Sequence, residues 1–261
     1  MRRYIIRKLL LFIPILLAIA TLTFFLIRLA PGGPFDRDKN VPAEVQQSLE
    51  RYYHLDEPLL KQYFRYLYGV VRFDFGPSFR KPGYTINEWI SMRLPVSIEL
   101  GVYSLIFALL VGLICGIIAA FYQNTWIDTI LTSFAALGIC IPAFVLGPIL
   151  VLIFALHWEI FPVAGWDFPQ QKILPSISLG FMYSAYIARI IRSSIIEVLK
   201  QDYIRTAVAK GSSPTRILFI HALKGSLQPL VTFLGPAIAG LLTGSFIVET
   251  IFQIPGLGRE F

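Results

Sequence analysis

Charge is scarce in this chain. Of 261 residues only 15% are Asp, Glu, Lys or Arg, against 56% hydrophobic, and the mean hydropathy is +0.66. A soluble domain of this length needs roughly a quarter of its residues charged to cover its surface, so the composition places the chain in a bilayer. Cysteine is nearly missing. Cys115 and Cys140 both lie inside long apolar stretches, which excludes a disulfide framework and makes them small core residues. Histidine is as rare: His54, His157 and His221 are far apart and have no Cys or His partner at metal-ligand spacing.

Other absences narrow the function. No Gly-x-x-x-x-Gly-Lys-Ser/Thr run occurs, so the chain does not hold ATP with a phosphate loop. No ladder of ionisable residues sits at mid-span: Glu99, Asp128, Arg189 and Glu249 all fall near the ends of apolar runs, which argues against a proton- or sodium-coupled carrier. No local motif presents a nucleophile or a metal, so no catalytic residue is assigned. The net charge of +7 would suit a nucleic-acid binder, but the basic residues lie between apolar spans, where the positive-inside rule accounts for them.

What is abundant is apolar length. About 20 apolar residues cross a bilayer, and five stretches meet that measure: 9–29, 96–122, 127–156, 173–191 and 230–251. The third contains Pro142 and Pro148 and is expected to kink or tilt. Arg2, Arg3, Arg7 and Lys8 precede the first span without an acid, which predicts a cytoplasmic amino terminus and a retained anchor. Counting alternately puts 31–95 outside and 192–229 inside. Charge agrees: the inner segment, counted from Arg189, has Arg189, Arg192, Lys200, Arg205, Lys210, Arg216 and Lys224 against Glu197 and Asp202, whereas 31–95 holds nine bases and eight acids.

The polar segments carry local signals. In 31–95, Pro42 begins one expected helix running to Tyr53 and Pro58 another, in which Leu59, Tyr63, Leu67 and Val70 or Val71 recur at helical spacing; the reading is a helix packed on its own protein, with docking of an external partner as the alternative. Gly112 and Gly116, and Gly240 and Gly244, are spaced to let helices pack closely. In the inner segment, 193–210 reads as one helix ended by Gly211 in a left-handed conformation, and Ser213-Pro214 caps and starts the next. The small Ala207 and Ala209 would let a partner approach the backbone, while Arg205 and Lys210 could steer acidic counterparts.

These residues resemble the inner-membrane permease subunits of ABC-type peptide importers, of the dipeptide and oligopeptide B type. Gln201-Asp202-Tyr203-Ile204-Arg205-Thr206-Ala207-Val208-Ala209-Lys210-Gly211 is similar to that family's EAA loop, with Arg205-Thr206-Ala207 in the EAA position and Gly211 as the glycine. His221-Ala222-Leu223 and Pro229 continue the pattern, although Gln228 replaces an expected leucine. Arg28-Leu29-Ala30-Pro31-Gly32, Ile141-Pro142-Ala143-Phe144, Phe161-Pro162-Val163-Ala164-Gly165-Trp166 and Glu249-Thr250-Ile251-Phe252 with Pro255-Gly256-Leu257-Gly258 also fit, and the resemblance covers essentially all of the chain. Residues 53–79 look more like oligopeptide than dipeptide or nickel members.

The resemblance implies an all-α, polytopic permease of the type I ABC importer kind. Five spans are visible and the family's sixth helix is missing after Phe261, which reads as truncation. The expected divisions are an N-terminal transmembrane helix over 1–30, an extracytoplasmic helical segment over 31–95, and a core permease domain over 96–261 with the coupling loop near 201–213. The implied partners are a homologous second permease, two cytosolic ATPase subunits that carry ATP and Mg, an extracytoplasmic binding protein and the peptide, in the bacterial inner membrane. Tyr203, Ile204, Arg205, Thr206, Ala207, Ala209, Lys210 and Gly211 are the implied ATPase-coupling residues. The chain itself is expected to do no chemistry and to bind no cofactor. Dipeptide or nickel import is the nearest alternative, and a stand-alone channel or secondary carrier is the alternative from another class.

Overall fold

The computed structural model describes residues 2–29, 54, 57–78 and 83–260. Among them the architecture is helical, with one isolated antiparallel bridge, Pro77 to Thr85, as the extended pairing. Four helices are long and apolar enough to cross a membrane: Ile6–Leu29, Ile86–Phe121, Pro169–Leu199 and Pro214–Ile251. A fifth crossing is made if Trp126–Cys140 and Ala143–His157 count as one span. These are the five apolar runs of the sequence. The chain divides into two compact units, Met1–Ile90 and Ser91–Phe261.

In the first unit, α1 (Arg2–Leu29) and α2 (Leu59–Arg72) meet through aromatic residues. Phe24, 2% exposed, has its ring 5.3 Å from Tyr63 and 5.4 Å from Tyr66. Thr21 Oγ1 lies 2.7 Å from the Tyr63 hydroxyl, and Arg28 Nε donates to Gln62 Oε1 at 2.9 Å. The α2 stripe therefore packs on its own protein through Tyr63 and Tyr66, while Leu59, expected in that stripe, is exposed along with Leu60, Phe64 and Val71. The helix expected from Pro42 to Tyr53 lies outside the described residues.

The second unit is built on α3 (Ile86–Phe121), whose residues from Ser91 onward belong to it, together with α4 (Trp126–Cys140) and α5 (Ala143–Leu150), which continues as a π-helical segment over Val151–His157. Next come α6 (Pro169–Leu199) and α7 (Asp202–Ala209). The short α8 (Pro214–Arg216) leads through a π-helical segment, Ile217–Ala222, into α9 (Leu223–Leu242), and α10 (Phe246–Ile251) follows. Small residues set the α3–α6 approach. A Cβ on Gly112 would lie 2.7 Å from Ile187, and one on Gly116 would lie 2.7 Å from the Ala188 carbonyl, so this glycine pair does serve packing.

Three expectations of continuity are corrected. The third span is broken, not kinked: Ile141 and Pro142 are both extended, and α4 and α5 diverge by 107°. Proline drives its predecessor out of the helical region, and Pro142 then serves as the cap from which α5 restarts. The helix read over 193–210 ends at Leu199 and resumes at Asp202, because Gln201 is extended. Gly244 does not extend a helical face with Gly240, since it lies in the break between α9 and α10 at φ +86°.

Candidate functional site

The loop between α6 and α8 folds from local rules. Asp202 occupies the first turn of α7, where the helix dipole favours an acid. The helix ends as the sequence predicts: Gly211 has φ +79°, its amide donates to the Val208 carbonyl at 2.9 Å, and the Ser212 amide reaches back to Ala207 at 3.1 Å. Ser213 then caps α8 by accepting the Arg216 amide at 3.4 Å. The result is a helix, a tight turn and a second helix.

One residue anchors α7. Ile204 is 3% exposed and packs with Val198, Ile217, Leu218 and Ala222. Ala207 is half-buried beside the same cluster. The Tyr203 hydroxyl reaches the His221 carbonyl at 3.4 Å, yet the side chain stays exposed. Arg205, Thr206, Ala209, Lys210 and Gly211 are exposed as well. Among the described residues Arg205 meets only Asp202, at 3.4 Å, in a pair open to solvent on both sides. A Cβ added to Gly211 would touch nothing within 4 Å. The eight residues singled out in the sequence thus divide: Ile204 points inward and holds the helix, Ala207 lies half-buried beside it, and the other six are exposed. Val208, exposed at 57%, was not singled out; four residues after Ile204, it lies on nearly the same side of the helix by spacing, so no periodic signal marked it as exposed.

At the opposite end of this unit a second polar cluster was not anticipated. Glu249 is fully buried, and its carboxylate accepts from Ser97 Oγ at 2.8 Å, from the Arg259 amide at 2.9 Å and from the Ser245 amide at 3.3 Å. Ser97 Oγ in turn accepts the Leu257 amide at 2.8 Å. A Cβ on Gly256 would stand 2.5 Å from Glu249 Oε2, so the turn can close on the carboxylate only with glycine there. On either side along α3, Arg93 donates to the Pro255 carbonyl at 3.1 Å, and Glu99 takes Lys172 Nζ at 2.5 Å and Trp166 Nε1 at 2.8 Å. About two helical turns of α3, from Arg93 to Glu99, therefore clasp the 252–260 turn and the start of α6. A lone acid followed by Pro-Gly-Leu-Gly was the available signal, but nothing local links it to Ser97, 152 residues away.

The family model for the inner membrane component of binding-protein-dependent transport systems matches residues 112–261, and that for the N-terminal part of such membrane components matches 1–100. The chain belongs to this permease family. Among its relatives, the dipeptide transport system permease protein of Bacillus subtilis is 46% identical over 261 residues, covering all of this chain and 85% of the relative. The oligopeptide transport system permease protein of Haemophilus influenzae is 46% identical over 263 residues, covering 100% and 86%. That of Escherichia coli is 44% identical over 265 residues, again covering 100% and 86%. As a member of the permease family, with four or five helices long and apolar enough to cross a bilayer, the chain is a multi-pass inner-membrane protein.

Proposed function

We propose that this permease is the membrane-spanning subunit of an ATP-driven importer that forms, with a homologous second permease, the path for oligopeptides. In this reading α7 and Gly211 are the contact for two cytosolic ATPase subunits, which carry ATP and Mg, and an extracytoplasmic binding protein delivers the peptide. The observation that carries it is the construction of α7: a short helix with one buried anchor, Ile204, and an otherwise free face of small, aromatic and basic residues. Such a helix transmits a push as a rigid lever, because Ile204 ties it to the same buried cluster as Val198 of α6 and Leu230 of α9. Closure of the ATPases would then shift α6 and α9 between inward- and outward-facing arrangements, and the chain would do no chemistry of its own. Dipeptides are the second reading for the cargo, since the Bacillus subtilis dipeptide relative and the Haemophilus influenzae oligopeptide relative share the same 46% identity.

The basic amino terminus and the seven bases of 189–224 support a cytoplasmic location for both the N-terminus and the α7 loop. An impermeant thiol reagent outside intact cells should label a cysteine at Asp38 and not one at Ser212; the reverse pattern would overturn the orientation. Co-purification tests the assembly. The intact chain should carry with it a second permease and phosphate-loop ATPases, and recovery alone with uptake activity would favour a stand-alone carrier.

A further inference from the structure

A cavity of about 480 Å³ opens between α3, α4 and α6, near the α7 end of the second unit. Its walls are small and apolar, among them Cys115, Ala119, Leu131, Ile139 and Ala188. From Leu131 to Ile139 the slot follows α4 for eight residues, roughly 12 Å of helix. Its polar groups gather at one end, and all but one are engaged by other groups of the chain. Arg192 gives Nε and Nη2 to the two oxygens of Asp128 at 2.6 and 2.7 Å, and Asp128 also accepts the Asn124 amide at 3.0 Å. Thr132 Oγ1 bonds the Asp128 carbonyl at 2.7 Å, and Ser193 Oγ bonds the Arg189 carbonyl at 2.9 Å. Only the exposed Arg189 guanidinium has no hydrogen bond or ion pair among the described residues.

We propose that this slot binds an anionic phospholipid, with the phosphate at Arg189 and an acyl chain along the apolar walls. The inference rests on the orientation argued above, which puts the Arg189 end in the cytoplasmic leaflet. Asp128 lies two residues into α4, just past the 123–125 turn, and marks the boundary; Arg189 is three residues deeper along α6 than Arg192, within reach of the headgroups by snorkelling. A guanidinium at that depth is costly without an anion, and Asp128 is already saturated by Arg192 and Asn124. An anion joined to a long hydrocarbon chain meets both demands, as basic pockets between spans on the cytoplasmic side do for anionic lipids. A peptide is a poorer fit. Its backbone needs both donors and acceptors along the slot, and the Thr132 and Ser193 hydroxyls already donate within their own helices and have only acceptor capacity left.

The test uses the intact importer in nanodiscs of phosphatidylcholine with a minor fraction of phosphatidylglycerol, followed by neutral-detergent extraction and native mass spectrometry of retained lipid. Wild type should retain phosphatidylglycerol over phosphatidylcholine, and Arg189→Ala should lower that preference about fivefold, the effect of one basic residue near a headgroup. Arg189→Lys should keep most of it. Ala135→Phe, which fills the slot, should lose bound lipid of either kind while the assembled complex is recovered normally. Equal retention in wild type, Arg189→Ala and Ala135→Phe would overturn the site. So would a photo-crosslinker at Ala136 that captured the second permease instead of lipid. Lipid retention is read without transport, so a failure of the peptide-import reading leaves this result separately legible.

Discussion

The two ends of the second unit solve opposite problems with the same kinds of residue. Around the 252–260 turn Ser97 and Glu249 are buried, Arg93 and Glu99 flank them partly exposed, and each has partners within the chain. At the α7 loop, Arg205, Lys210 and Tyr203 stay exposed, and only Ile204 is drawn into the core. Burial of a carboxylate is tolerable only when every oxygen is satisfied, so the first end is fixed as one arrangement. Exposed polar groups on a single anchor specify a surface instead. In the function proposed above, the tied end would keep the helices in register and the bare end would be the one on which a partner acts.

The sharpest way to break the contrast is at Glu249. Its carboxylate only accepts, from one hydroxyl and two amides, so Glu249→Ala leaves three donors unmet in a buried site, each worth about 1–3 kcal/mol. We expect the variant to be recovered poorly and to aggregate at markedly lower temperature. Even Glu249→Gln should destabilise, because its amide NH2 would face an amide N–H. A cysteine at Leu257 should become reactive to thiol reagents in the Glu249→Ala background and stay protected in wild type.

Next in size is the Asp128–Arg192 pair, which ties α4 to α6. With Asp128 6% exposed and both its oxygens engaged, Asp128→Ala strands a half-buried guanidinium, at a cost of about 3 kcal/mol. The double replacement Asp128→Leu with Arg192→Leu should recover much of that loss, because it leaves no charge behind. Thermal stability of the detergent-purified complex checks both. A double variant no more stable than Asp128→Ala would show that the pair does more than neutralise itself.

The contrast also explains what was legible in the sequence. The apolar runs could be measured because span length is set by the bilayer, and Gly211 and Ser213 could be placed because caps are local. The break at Ile141-Pro142 could not be told from a kink, since the same proline permits either and the packing of α5 decides. Gln201 carries no breaker signal at all. The clasp escaped for a different reason: Ser97 and Glu249 meet across 152 residues, a pairing that no periodicity encodes.

At the bare end, substitutions should spare the fold. Gly211→Val puts a β-branched residue at φ +79°, at a cost of about 1 kcal/mol or more, but its side chain would meet open space. Membrane insertion and thermal stability should stay near wild type, and Gly211→Asn, which tolerates this backbone region, should be milder still. Arg205→Glu should change stability least, because the Arg205–Asp202 pair is exposed on both sides and such pairs contribute about 0–1 kcal/mol. Its effect on partner binding should weaken as salt rises.

The central claim, that the free face of α7 receives the ATPases, is tested most directly by peptide uptake and binding-protein-stimulated ATP hydrolysis in vesicles reconstituted with wild type, Gly211→Val and Arg205→Glu. The account predicts that both variants assemble in the membrane but hydrolyse ATP without matching uptake, or lose the ATPase subunits on purification. Normal coupled transport by both would contradict it.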